Sequence, residues 1–347
     1  MQLDYGDLLL YLAAAPIVLW VAGAIYFDLA ASKWQGVVLA IGWIGLSFVI
    51  FGIWQPAWQP FVVVLFLAAL FLWWWFSQEP SHFREWDRNF ARLPHVAIEG
   101  DLIEISGVRN TEYLPHAESI PRYETRTYRL SRLCGADLLI ATWGYPWMCH
   151  PMFVFDFGQD GRLCVSIEVR YRVGQKYSLL RSFYRQQELM FVVSDERDAI
   201  LRRTKWLDSQ DLYLYRVNAD AITLRRFFLE YVSTINSLSA KPRWYHGFAT
   251  NCTTSIYALG RGHMTWHWRM VINGGLDQLM YDRGLFRQDL PFTKLKASSW
   301  LNDVANVAPK DGFGDYLRRH LAGYSRQNES TCDKPATHLE MNNGPAR

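Results

Sequence analysis

Tyr245-His246-Gly247-Phe248-Ala249-Thr250-Asn251-Cys252-Thr253-Thr254-Ser255-Ile256-Tyr257 is the stretch on which the reading of this chain turns. A short polar run, Thr250-Asn251, precedes a cysteine, and the pattern then becomes helical. Thr250 or Asn251 suits an N-cap. Cys252 then falls in the first helical turn. A thiol there feels the positive end of the helix dipole, which favours the thiolate, the nucleophilic form. The plainer alternative is a buried structural cysteine, since free Cys is among the most buried residue types. A partner histidine decides between the two.

A cysteine nucleophile needs a base within hydrogen-bond reach, and the base needs an orienting acceptor. His263 and His267 follow too closely on Cys252 to supply a separate base, and His246 is a weaker rival just upstream. The better candidate lies about a hundred residues earlier, in a hairpin. Met152–Phe157 and Leu163–Arg170 are strand-like and flank Gly158-Gln159-Asp160-Gly161. The Asp-Gly pair marks a turn. With Gln159–Gly161 as a three-residue loop, Met152 lies opposite Glu168 and His150 opposite Arg170. Side chains alternate faces along a strand, so His150 and Glu168 share a face as diagonal neighbours. A one-residue slip would part them. Cys149, beside His150, points to the other face and reads as structural. The candidate set is therefore Cys252, His150 and Glu168.

Elsewhere the chain is organised in blocks. Half of its 347 residues are hydrophobic and 16 are Trp, yet the net charge is only +3 and the mean hydropathy is near zero. The apolar residues are gathered in the first 78 positions, which are almost free of charge. Leu8–Phe27 is an uncharged run of about the ~20 residues a bilayer span needs. A second span is expected at about 36–54 and a third at about 61–76, separated by Gln55-Pro56-Ala57-Trp58-Gln59-Pro60. Trp20, Trp34, Trp54, Trp58 and Trp73-Trp74-Trp75 lie near the expected ends, as interfacial aromatics do. The first run lacks a basic leader and a clear small-residue cleavage site, so it reads as a span rather than a cleaved signal peptide. Three spans put the N-terminus and the large domain on opposite sides. Arg84, Arg88 and Arg92 after the third span mildly favour a cytoplasmic domain, but long domains often translocate regardless of such charges, so the charge rule does not decide the side.

Residues 79–94 are expected to form a connector helix, with Phe83, Trp86 and Phe90 at helical spacing. Residues 95–325 carry the folded domain. Its strand-like runs are His95–Ile98, Leu102–Ile105, Thr125–Leu130, Leu138–Trp143, Met190–Val193 and Leu212–Val217, besides the hairpin. An amphipathic helix starts at Asp220 or Thr223 and runs to about Leu238. Residues 326–347 are polar and read as a disordered tail. Nucleic acid is excluded as a partner, because no basic block, zinc-finger spacing or Gly-rich phosphate loop is present. His263 and His267 have metal-ligand spacing but lack the Glu and a third ligand, so neither metal nor other cofactor is expected. Arg181, Arg185, Arg202 and Arg203 are candidates for a phosphate headgroup, against an ordinary charged surface. Five cysteines without a CxxC are too few for a disulfide scaffold.

Taken together, Phe83, Trp86-Asp87, Asn89 and Leu93-Pro94-His95, the run Ile98-Glu99-Gly100-Asp101 with Val108-Arg109-Asn110, His150-Pro151-Met152-Phe153-Val154-Phe155, Ser166-Ile167-Glu168-Val169-Arg170, and Trp244-Tyr245 before Asn251-Cys252-Thr253-Thr254 resemble the Lnb N-terminal periplasmic domain family. The resemblance covers about 80–325. It implies an exported α+β domain similar to circularly permuted papain-like (NlpC-type) folds, an antiparallel sheet packed on helices, following the three transmembrane helices. Some members of the family are lipoprotein N-acyltransferases. Carried over by position, Cys252 is the nucleophile, His150 the base and Glu168 the orienting carboxylate. Asn251 and Tyr245, near the cysteine, are the candidates for oxyanion or other support. Cys149 departs from the small polar residue expected before His150.

Together with the three spans, which belong to this chain's own architecture, the resemblance implies a multi-pass bacterial inner-membrane acyltransferase with a periplasmic domain, a phospholipid acyl donor and a lipoprotein acceptor. Two other readings use the same sequence. One is a cell-envelope cysteine peptidase or amidase with water as acceptor, and the other is a non-enzymatic envelope scaffold. Bulky apolar residues shielding Cys252 favour transfer, an open polar groove favours hydrolysis, and a wide Cys252–His150 separation favours the scaffold.

Overall fold

The computed structural model describes residues 5–113, 120–207, 210–259 and 265–324. The expected tail at 326–347 and His263 lie outside them. The chain clusters into two compact units. One comprises Met1–Arg84, Gln175–Glu188 and Pro242–Gly247, and the other Glu85–Gly174, Leu189–Lys241 and Phe248–Arg347. Residues 95–325 are therefore not one body, because two of their segments belong with the N-terminal helices.

In the first unit the apolar runs form α1 (Tyr5–Ala24), which ends in a π-turn at Ile25–Leu29, α2 (Lys33–Ile53) and α3 (Trp58–Ser77). All three are long and apolar enough to cross a membrane. Ser32 caps α2 by accepting from Gln35 N. Asp28 is a charged residue at the end of the first apolar stretch, and it is fully engaged. Its carboxylate accepts from the Trp75 indole at 2.7 Å, from Arg185 N at 3.1 Å and from Gln186 Nε2 at 2.8 Å. Arg185 also lies 4.3 Å over the Trp75 ring. A Cβ at Gly23 would meet the Tyr184 hydroxyl at 1.9 Å, so any larger residue there requires that ring to move. The segment Gln175–Glu188 is thus built into the helical unit by a carboxylate, a close approach and a cation–π contact.

The second unit is a mixed α+β domain. Its strands are β1 (His95–Glu99), β2 (Leu102–Arg109), β3 (Tyr123–Arg129), β4 (Gly135–Thr142), β5 (His150–Asp156), β6 (Arg162–Arg170), β7 (Glu188–Asp195) and β8 (Asp211–Arg216). Among the described residues they form one sheet, ordered β1-β2-β7-β6-β5-β4-β8, with β3 also on β2. The β1–β2, β2–β3, β4–β5, β4–β8 and β5–β6 pairings are antiparallel, and Arg109 of β2 pairs in parallel with Ser194 of β7.

Strand alternation divides the core into two layers. Leu139, Met152, Val154 and Cys164 face α4 (Glu196–Leu201), α9 (Asn302–Val307) and α10 (Phe313–His320). Leu138, Ile140 and Tyr215 face α7 (Leu276–Asp282) and α8 (Phe292–Ser299). Phe155 is wholly buried and meets Phe228 and Tyr231 of α5 (Ala221–Ala240) at edge-on angles. Asp220 caps α5 by accepting from Thr223 N, as its position suggested. Edge-on aromatic pairs of this kind add about 0.5–1.5 kcal/mol beyond area burial.

Two expectations are corrected. Residues 79–94 form no connector helix. Trp86 bridges to Arg172, Asp87 N donates to Tyr171 O, and only Arg88–Phe90 makes a short 3-10 turn. Arg170 donates to the Phe90 and Ala91 carbonyls and lies 4.1 Å over the Trp86 ring. These contacts with the end of β6 outweigh the helical spacing. The hairpin register is also shifted by two residues, because Gly158–Asp160 winds into a 3-10 turn. Met152 therefore pairs with Ser166, not Glu168. An even shift preserves the faces, and the register carried outward brings Glu168 level with His150.

Asp28→Ala should orphan three donors, at about 1 kcal/mol or more each when buried. Trypsin cleavage after Arg185, for the protein in lipid nanodiscs, is then expected to rise at least ten-fold. Unchanged cleavage would show that this carboxylate does not hold the segment.

Candidate active site

Cys252 is the first residue of α6 (Cys252–Leu259) and is buried. The helix begins there because Asn251 caps it. Asn251 Oδ1 accepts from Thr254 N at 2.8 Å, and Thr254 Oγ1 accepts from Asn251 N at 2.9 Å, the reciprocal pattern of a capping box. The Asn251 amide nitrogen donates to Val271 O. Asn251 thus supports the site by building the turn that carries Cys252.

His150 opens β5. Its Nε2 lies 2.7 Å from Ser166 Oγ and 3.1 Å from Glu168 Oε1, while the Ser166 hydroxyl donates to the same Oε1 at 2.6 Å. Arg203 Nη2 donates to that oxygen as well, at 2.7 Å. With Ser166 donating onward, its lone pair and the carboxylate both call for a proton on Nε2. That sets the ring orientation, with Nε2 turned to Ser166 and Glu168 and Nδ1 on the opposite side. Burial pushes the His150 pKa down. The Glu168 charge and side-chain hydrogen bonds to Cys252 and Glu168 outweigh it and hold the imidazole at about 9. Glu168 is the converse: burial pushes it up, and His150, Arg203 and Ser166 bring it well below the usual carboxylate range.

Arg203 reaches Glu168 from a π-turn, Arg202–Trp206, that continues α4. The Asp195 side chain caps α4 by accepting from Arg197 N. Asp198 anchors it through a buried ion pair with Arg109 and a bond from Thr111 N. The four arginines proposed for a headgroup divide between the two units. Arg202 and Arg203 are buried, and Arg202 lies 5.4 Å over the Phe90 ring. Arg181 and Arg185 belong to the other unit.

A further residue, overlooked in the sequence, joins the two halves. Asn273 Nδ2 donates to Cys149 O at 2.6 Å, lies 3.0 Å from Thr253 Oγ1 and 3.5 Å from Cys252 Sγ, and Asn273 Oδ1 accepts from Cys149 N at 2.9 Å. It pins the peptide before His150 against the turn that carries the sulfur. Gly274 permits this, since a Cβ there would meet Pro146 O at 2.1 Å and Trp147 Cα at 2.5 Å. Asn273-Gly274-Gly275 was visible as a loop sequence, but nothing local tied it to Cys149.

The remaining candidates stand apart. Cys149 is buried and sends its thiol to Asn273 O, and burial, with Cys252 and Asp277 adding, pushes its pKa well up. His267 caps the Trp268–Met270 turn by accepting from Arg269 N. Among the described residues no cluster of His, Cys, Asp or Glu is placed to hold a metal ion. Tyr245 and His246 lie in the helical unit, where Tyr245 N donates to Gln187 O and His246 meets Phe183 edge-on.

Residues 119–268 match the family model described as Lnb N-terminal periplasmic domain, which bears out the resemblance drawn from the sequence. The matched window holds His150, Ser166, Glu168, Arg203 and Cys252. No curated relative and no solved structure matches.

The pKa directions fix a pH dependence. A His150 pKa raised from 6.5 to about 9 contributes stability that is complete below about pH 6.5 and is lost as pH rises through about 9. The lowered Glu168 contributes stability above its unfolded pKa that is lost only in strong acid. Unfolding of wild type should therefore become easier between pH 6.5 and 9.5, by up to about 3 kcal/mol. His150→Gln should flatten this part of the curve in chemical denaturation. A wild-type curve already flat over that interval would contradict the assignment.

Proposed function

We propose that this protein is a membrane-anchored cysteine acyltransferase. The observation that carries the reading is Cys252, buried at a helix start and coupled electrostatically to the His150 ring, which Glu168 and Ser166 orient. The Cys252 thiolate attacks the ester carbonyl of a phospholipid. A C–S bond forms and the C–O bond breaks, and the His150 imidazolium protonates the departing lysolipid alkoxide. Backbone N–H groups of the first turn of α6 face the oxyanion. The α-amine of a lipoprotein N-terminal cysteine then attacks the thioester. His150 takes the amine proton, an amide forms, and the thiolate is released.

Two features favour transfer over hydrolysis. The sulfur is buried, and an apolar cavity adjoins it rather than an open polar groove. A pure scaffold reading required Cys252 and His150 to be far apart, which the electrostatic coupling of the His150 ring to the Cys252 side chain opposes. Three helices able to cross a membrane suit two membrane-bound substrates. Cys134 is disulfide-bonded, which suits an oxidising compartment, and we place the domain on the periplasmic side of a bacterial inner membrane.

The test is mass analysis of the Cys252 peptide after incubation with phospholipid vesicles. The expected result is an added acyl mass that hydroxylamine removes, absent in a folded Cys252→Ser protein. Full lipoprotein acylation by Cys252→Ser would remove the sulfur from the mechanism. Cleavage of cell-wall peptides without acylation would establish the amidase instead.

A further inference from the structure

Between the β4–β5 face and helices α5, α6 and α7 lies a cavity of about 530 Å³. Ligand-holding clefts fall between roughly 300 and 1,000 Å³. Its inner wall is apolar, with Leu138, Phe153, Ile256, Met270, Met280 and Phe286. Thr253, which follows Cys252 and holds its Oγ1 3.7 Å from the sulfur, lines the cavity and places it beside the nucleophile. Pro151 lines it too, from the face of β5 opposite His150. Of the charged lining residues, Asp220 and Arg226 are exposed and mark the open end, beside half-buried Val217 and Ala219, while Glu230 and Arg283 are half-buried.

We infer that this cavity holds the fatty acyl chain of the group carried on Cys252, which deepens the function proposed above and rests on it for the covalent step. The chemistry of the wall selects the occupant. A sugar or peptide would give up water for carbon, leaving its polar groups without partners. An alkyl chain loses nothing and gains roughly four-fold in affinity for each methylene buried. The thioethers of Met270 and Met280 adapt to a flexible chain. The wall contact at Thr253 sets the chain's carboxyl end beside the sulfur, and the charged mouth is left to the water-facing end of the cavity.

Filling the mouth tests this. Ala219→Trp and, separately, Val217→Trp are made in the full-length protein in nanodiscs, with folding checked by thermal unfolding. Cys252 labelling is followed by peptide mass with 4-nitrophenyl butyrate and 4-nitrophenyl dodecanoate. The expected result is at least a ten-fold fall in the dodecanoate-to-butyrate rate ratio in at least one folded variant. An unchanged ratio in both would overturn the assignment. A binding arm removes the dependence on chemistry, using a fluorescent long-chain fatty acid and Cys252→Ala protein with and without each Trp. Binding weakened ten-fold by a Trp supports the cavity even if wild-type Cys252 is never acylated, a result that would sink the transferase reading alone. Binding that neither Trp weakens would overturn the cavity assignment.

Discussion

One oxygen atom, Oε1 of Glu168, organises the site. It receives a hydroxyl from Ser166, a guanidinium from Arg203 and the imidazole of His150. A carboxylate taken partly out of water is costly unless paired and hydrogen-bonded. Three donors on one oxygen meet that cost, and the same three decide where the imidazole points. Truncating Arg203 would leave the carboxylate short of a partner rather than merely delete a surface charge. The arginine owes its position to α4, and α4 to the buried Arg109–Asp198 pair. A chain of charged contacts thus runs from an early strand to the base of the proposed reaction.

The sulfur arrives by a separate route. Capping by Asn251 starts α6 at Cys252, and Asn273 ties that turn to the peptide of Cys149. The two routes meet only in the folded domain. Glu168 orients the ring from one side, while the Asn273 clamp, made possible by Gly274, fixes the distance from the other. Small errors in either would uncouple the pair, because proton transfer needs hydrogen-bond contact.

Local chemistry made much of this legible in the sequence. Apolar length gave three helices, Asn-Cys-Thr-Thr gave a capped helix start, and strand alternation put His150 and Glu168 on one face. The hairpin register was misplaced by two residues because a 3-10 turn replaced the shorter loop. An even error spared the facing of the pair, whereas an odd one would have lost it. Arg203 and Asn273 were not legible, since each acts on a partner far along the chain and lies in a segment with no periodicity. The connector helix failed for a related reason. Its aromatic spacing was real, but cross-chain bonds to Tyr171 and Arg172 were stronger. The inclusion of Gln175–Glu188 in the helical unit depends on Asp28 and Gly23, whose partners lie more than a hundred residues away.

The central claim is that this sulfur carries an acyl group to a lipoprotein amine. Its most direct measurement is the N-terminal peptide mass of lipoproteins from cells lacking this protein, complemented with wild type or Cys252→Ser. The account predicts an additional amide-linked acyl chain with wild type only. The same acyl mass in cells without the protein, or with the serine variant, would contradict it.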